Sequence, residues 1–113
     1  MTDKDPYGMD QHEPGAKLDG DKPDTSLLLM FPRALLAVSE VGTFGAKKYT
    51  RGGWREVADG YIRYTAAMLR HLFQGADEEY DEDSGLQHDA QVAWNALARL
   101  EIKLRESDED QQG

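Results

Sequence analysis

The chain has no cysteine among its 113 residues. Disulfides, thiolate-bound zinc and cysteine nucleophiles are therefore excluded, and a reducing compartment is compatible with the composition without being demanded. Long hydrophobic runs are missing too. No apolar stretch approaches the roughly 18 residues expected of a membrane span, and the opening MTDKDPYGMD carries neither the basic nor the apolar region of a signal peptide. The expectation is a cytoplasmic protein that touches no membrane. No segment alternates convincingly with period two, which argues against a sheet, although SLLLMF at residues 26–31 would serve as a short strand. G-x-S-x-G, a P-loop and G-x-G-x-x-G are all absent, so a serine hydrolase, a Walker ATPase or a dinucleotide fold would be forced.

What is present is charge, unevenly distributed. Of the 22 acidic residues, seven lie in residues 1–24, six in residues 77–83 and four in residues 106–110. Between Thr25 and Ala76 the balance reverses, with Arg33, Lys47, Lys48, Arg51, Arg55, Arg63 and Arg70 against Glu40, Glu56 and Asp59. A locally basic body between acidic flanks suits a small anionic ligand such as a nucleotide, and disfavours a long nucleic acid, which the net charge of -9 would repel.

Residues 1–24, rich in Gly, Pro, Asp and Lys without hydrophobic periodicity, read as a flexible or extended arm, and residues 106–113 as a disordered acidic tail. Residues 25–105 then form a helical nucleotide-binding domain. Pro32 is suited to a first helical position, and Leu35, Val38, Val41 and Phe44 recur at steps of three along a first helix that ends near Phe44 or Lys48. The pattern predicts a second helix from about Val57 to Gln74, with Tyr61, Tyr64, Met68, Leu69 and Leu72 on its buried arc. Ser84-Gly85-Leu86-Gln87 matches a capping box and opens a third helix to about Arg105. Its apolar stripe is Leu86, Ala90, Ala93, Leu97, Leu100 and Leu104. His88, Gln91 and Asn95 form a polar row opposite, which suggests a covered face. The fold class is all-α, a small three-helix bundle completed by oligomerisation because one short chain closes only a modest core.

The acidic loop DEEYDED places Glu78, Asp81 and Asp83 where a tight turn can gather them, as hard cations such as Mg²⁺ or Mn²⁺ prefer. Solvated acidic loops before a helix are nevertheless common, and acids favour a helix N-terminus in any case. His71 and His88 frame the loop, each able to ligate a metal or to act as acid or base, and each equally suited to a structural hydrogen bond. Trp54, between Arg51 and Arg55, can stack on a base or plug the core. Lys17 and Lys22 in the arm read as part of a turn-rich linker or a lid. Arg63 and Arg70, seven apart, share one side of the second helix.

GAKLDGDKPD, GTFGAKKY, GGWRE, RYTAAMLRHL and DEEYDEDSGLQHDAQVAWNALARLE, in this order, resemble the phage-encoded dATP/dGTP diphosphohydrolase N-terminal domain family over residues 15–102. The resemblance implies a purine deoxynucleotide pyrophosphohydrolase, similar in spirit to the all-α MazG-type enzymes that release pyrophosphate with Mg²⁺ on helix-borne carboxylates. The matching motif positions are Lys17, Asp19, Lys22, Lys48, Tyr49, Trp54, Arg70, His71, Glu78, Asp81, Asp83 and His88. Two departures stand out. The paired E-x-x-E and E-x-x-D helical signatures are missing, the first helix offering only Glu40, and Gln91 stands where a second histidine is expected on the third helix.

Together these readings give a leading expectation, a metal-dependent (deoxy)nucleoside triphosphate pyrophosphohydrolase acting as a homo-oligomer in the host cytoplasm. Glu78, Asp81, Asp83, His88 and Glu40 would hold Mg²⁺ or Mn²⁺. His71 or Asp81 would orient water, and Lys17, Lys22, Lys48, Tyr49, Trp54, Arg63 and Arg70 would bind the nucleotide. The alternative from another class is a non-catalytic phage nucleotide sponge, and a third is a structural adaptor.

Overall fold

A computed structural model describes residues 4–112, with side chains through Glu109. Residues 1–3 of the expected arm and residues 110–113 of the expected tail, apart from the backbone to Gln112, lie outside that description. The chain divides into two compact units, Met1–Phe31 and Pro32–Gly113.

The first unit is built of turns. The Asp5 carboxylate accepts the backbone N–H of Tyr7 at 2.7 Å and that of Lys17 at 2.7 Å, tying together positions twelve apart. Asp24 caps a short 3₁₀ helix, Thr25–Met30, by accepting the Ser26 N–H. SLLLM is therefore helical, with Phe31 as its C-cap, and among the described residues there is no strand, only an isolated bridge between Tyr80 and Gln87.

The second unit holds three α-helices: α1 Pro32–Lys48, α2 Gly60–Gly75 and α3 His88–Gln112. Pro32 opens α1 as expected, and Lys47 and Lys48 occupy its last turn, where cations complement the helix dipole. Gly52, at φ 79°, leads into a 3₁₀ turn over Gly53–Glu56, and α2 begins only at Gly60, three residues after the expected Val57. Helices α2 and α3 run antiparallel. A Cβ on Gly60 would meet Ile102 and one on Gly75 would meet His88, so close approach at both ends needs these glycines. Helix α1 packs on α3, with Gly42 against the Trp94 ring.

Helix α3 differs from expectation at both ends. Its start is His88 and not the Ser84 region, because Ser84 turns into the preceding loop and bonds Asp81. Its end lies past Arg105, at Gln112, so the tail expected to be disordered is helical there. An i,i+4 pair between Arg105 and Glu101 at 2.9 Å and the good helix propensity of Glu and Gln favour that extension.

The buried face of α3 is also shifted: Ala90 of the expected stripe is buried, but its last three leucines are not. His88 and Asn95 are 3% and 7% exposed, and Ala90 and Ala98 are buried, whereas Leu97, Leu100 and Leu104 are each more than half exposed. Small and polar residues let α1 and α2 approach α3 closely, and the wide leucine stripe is left outside. Among the described residues the buried apolar core is Val38, Val41, Ala90 and Ala98, with no large side chain fully enclosed.

Polar contacts therefore fasten α2 to α3. Arg99 donates Nε to Thr65 Oγ1 at 2.7 Å and Nη2 to Tyr61 Oη at 2.9 Å, and its guanidinium lies 4.8 Å from the Tyr61 ring centre. Replacing it with alanine removes these bonds at once. Arg99→Ala is expected to destabilise the domain by about 2 kcal/mol, read as a lower urea midpoint with an unchanged slope.

Candidate functional site

The C-terminal end of α2, the N-terminal end of α3 and the acidic loop between them meet at three side chains. His71, Asp81 and His88 each bring one ligand atom within 4.8 Å of the other two. His71 Nδ1 and His88 Nδ1 are 2.9 Å apart, with ring centres at 5.1 Å. Gly75 lets His88 enter: its Cα approaches so closely that an added Cβ would lie 3.2 Å from His88 Cβ.

The loop is folded back on itself. The Asp81 N–H donates to Leu86 O at 2.8 Å, the Gly85 N–H to Asp81 O at 2.8 Å, and the His88 N–H to Glu79 O at 2.9 Å. Gly85 sits at φ 73°, in the left-handed region that glycine tolerates. Ser84 supports the acid directly. Its N–H and Oγ donate to Asp81 Oδ2 at 3.1 and 2.9 Å, while the same Oγ accepts the Leu86 N–H and the Gln91 amide, each at 3.1 Å. Gln87 reaches Glu79 Oε1 and so forms no capping box with Ser84.

Electrostatics suit ligation. Burial lowers the His71 pKa below the usual histidine value; the Asp81 charge opposes this, while His88 and Arg70 add to it. Burial alone would raise Asp81, but hydrogen bonds from Ser84 and Gln91 and the nearby His71 outweigh it and hold the carboxyl below its usual range. Near neutrality Asp81 is a carboxylate and His71 a neutral imidazole, the forms a cation binds.

In the Nδ1-to-Nδ1 contact one ring nitrogen donates a single proton and the other accepts it. The same spacing fits a shared cation, since neighbouring nitrogens on a metal at about 2.1 Å, subtending a right angle, are about 3 Å apart. Together with a carboxylate already held by two donors from Ser84, the residues fit a divalent ion. The donor set of two nitrogens and one oxygen matches Mn²⁺ and other first-row transition ions better than Mg²⁺, which prefers oxygen throughout.

The other residues singled out in the sequence lie as follows. Glu40 is exposed on α1, Glu78 is exposed at the start of the loop, and Asp83 is paired with Lys48 at 2.9 Å; none joins the cluster. Lys48 ties the end of α1 to the acidic loop, and its pKa is raised by Asp83. Tyr49 follows it on the surface, with its ring 5.5 Å from the lysine nitrogen. Arg70 is exposed beside His71. Trp54 lies in the 3₁₀ turn before α2, and Arg63 in the first turn of α2. Trp54 is half-buried edge-on against Tyr64, whose hydroxyl donates to Trp54 O, and Arg63 donates to Ala58 O. Lys17 and Lys22 are exposed residues of the first unit. An open groove of about 600 Å³, lined by Trp54, Arg55, Asp59, Tyr61, Ile102 and Arg105 among others, lies at that N-terminal end of α2, away from the histidines. Mixed charge and wide exposure make it the less specific feature.

The roles of Ser84, Gln91 and Gly75 do not follow from linear spacing. The signal for the first two was present in S-x-x-Q and in the polar row on α3, but it was compatible with an ordinary helix start.

An all-α domain with a histidine–aspartate cluster at one helix junction is the class that the fold and the site define. The chain belongs to the dATP/dGTP diphosphohydrolase, N-terminal, family, whose model matches residues 12–112. Neither the curated proteins nor the solved structures contain a match. Among the described residues no helix is long and apolar enough to cross a membrane.

The proton balance of the site sets a pH dependence. With His71 depressed below the unfolded value of about 6.5, the unfolded chain takes up protons first as pH falls. The contribution is complete above that value and is lost below it. Asp81 acts in the same direction, with loss at still lower pH. The urea midpoint is expected to hold steady above pH 7 and to decline below about 6.5, with a shallower decline in His71→Gln.

Proposed function

We propose that this domain hydrolyses purine deoxynucleoside triphosphates to the monophosphate and pyrophosphate, with a divalent cation held by His71 Nδ1, His88 Nδ1 and Asp81. The observation that carries the proposal is the convergence of these three ligands in a chain of this family. Of the two cations expected from the sequence, the donor set favours Mn²⁺. When bound, the ion supplies Lewis-acid stabilisation of phosphate charge and a more acidic water.

The protein's own groups do the rest. Arg70 beside the cluster neutralises phosphate charge, and Lys48 leaves Asp83 for the more highly charged triphosphate. Glu78 and Asp83 remain as loop carboxylates that orient water for attack on the α-phosphorus, from which pyrophosphate departs. Ser84 keeps Asp81 ionised and pointed at the histidines. Tyr49, exposed next to Lys48, stacks on the base in this reading, while Trp54 and Arg63 stabilise the loop and start of α2.

The nucleotide-sponge reading remains the competitor, because Lys48 and Arg70 serve either role. Purified protein incubated with dATP or dGTP and Mn²⁺ is expected to yield the monophosphate and pyrophosphate, and EDTA to stop the reaction. His88→Ala should lower the rate by more than about 100-fold, and Ser84→Ala by roughly 10-fold to 100-fold. Unchanged nucleotide across metals, with tight binding in EDTA, would establish the sponge instead.

A further inference from the structure

The outer face of α3 carries a pattern that neither the fold nor the histidine cluster uses. Ala93, Leu97, Leu100 and Leu104 follow one another at steps of four, three and four, the spacing of alternating d and a positions in a heptad. They lie on the opposite side of the helix from His88, Arg99 and Ile102, which meet α2. Leu97, Leu100 and Leu104 are 52%, 56% and 54% exposed. Ser107 takes the next heptad position, so the apolar run ends there.

We propose that this face is a self-association seam, paired antiparallel with the same face of a second copy of the chain. The subunit's own core is thin: four small or medium apolar residues are buried among those described, while three leucines of one stripe are not. Covering that stripe would add apolar burial to a small domain. A second copy of the chain is present wherever the chain is made, and it can supply that cover.

The stripe is also self-complementary. Under a two-fold axis Ala93 faces Leu104 of the second copy and Leu97 faces Leu100, an a-to-d match in both directions. Antiparallel pairing sends the acidic ends, Glu106, Asp108 and Glu109, to opposite sides of the dimer, whereas parallel pairing would set them against each other. The long flanking side chains are already engaged within the chain: Arg105 bonds Glu101, and Lys103 lies 4.6 Å from the Tyr61 ring centre. Their stems are thus drawn aside from the seam.

Sedimentation equilibrium of the full chain tests this. The wild type is expected at twice the 12.7 kDa chain mass or a multiple of it, and Leu97→Glu/Leu100→Glu at the chain mass with helical circular dichroism retained. A wild-type monomer at every concentration, as an intramolecular cover such as the apolar 26–31 turn would leave, overturns the proposal. So does a double variant that stays oligomeric. Should that variant lose its helicity, Leu97→Cys/Leu100→Cys decides, since the chain has no other cysteine. Mild oxidation should give a covalent dimer, and persistence of the uncrosslinked chain contradicts the seam. None of these readouts depends on nucleotide hydrolysis.

Discussion

Two imidazole nitrogens held 2.9 Å apart can share a proton or a cation, but they cannot both be protonated without repulsion. Much of the second unit serves to impose that spacing. His88 is almost fully buried at the first position of α3, Gly75 removes the side chain that would keep it away, and His71 comes from the last turns of α2. The antiparallel run of α2 on α3 fixes the separation of the two backbones, and Arg99 fastens that run near its other end. The loop from Asp77 to Gln87 then has one geometric task, to return the chain from α2 to α3 while delivering Asp81 to the same point.

The loop shows how a crowd of acids becomes selective. Six carboxylates lie between Asp77 and Asp83, yet Asp81 alone joins the histidines. Ser84 accounts for the difference, because its N–H and hydroxyl both donate to Asp81, and Gln91 in turn holds the hydroxyl. Asp83 is drawn instead toward Lys48, which brings the end of α1 to the loop. The histidine–aspartate cluster and the Lys48–Asp83 pair thus meet on the same loop.

Three helices and the all-α class were legible from periodicity, capping residues and the position of Pro32. The buried side of α3 was not. Leucines at helical spacing ordinarily mark the core, but a helix can pack by its small and polar side when its neighbours carry glycines and hydrogen-bonding groups. Gly42, Gly60 and Gly75 do so here, together with Tyr61 and Thr65. The polar row of His88, Gln91 and Asn95 already suggested a covered face. At the site, His71, Asp81 and His88 were each marked by residue type. Their convergence, and the separation of Glu40, Glu78 and Asp83 from them, depended on a loop fold set by Ser84 and Gly85 that linear spacing does not encode.

The central claim is that His71, Asp81 and His88 bind a divalent transition ion in preference to Mg²⁺. Calorimetric titration of metal-free protein with Mn²⁺ near pH 7.5 addresses it without reference to catalysis. One saturable site per chain, outcompeting a large excess of Mg²⁺ and abolished by His88→Ala, is the result this account predicts. Absence of Mn²⁺ binding, or binding that survives the loss of His88, would contradict it.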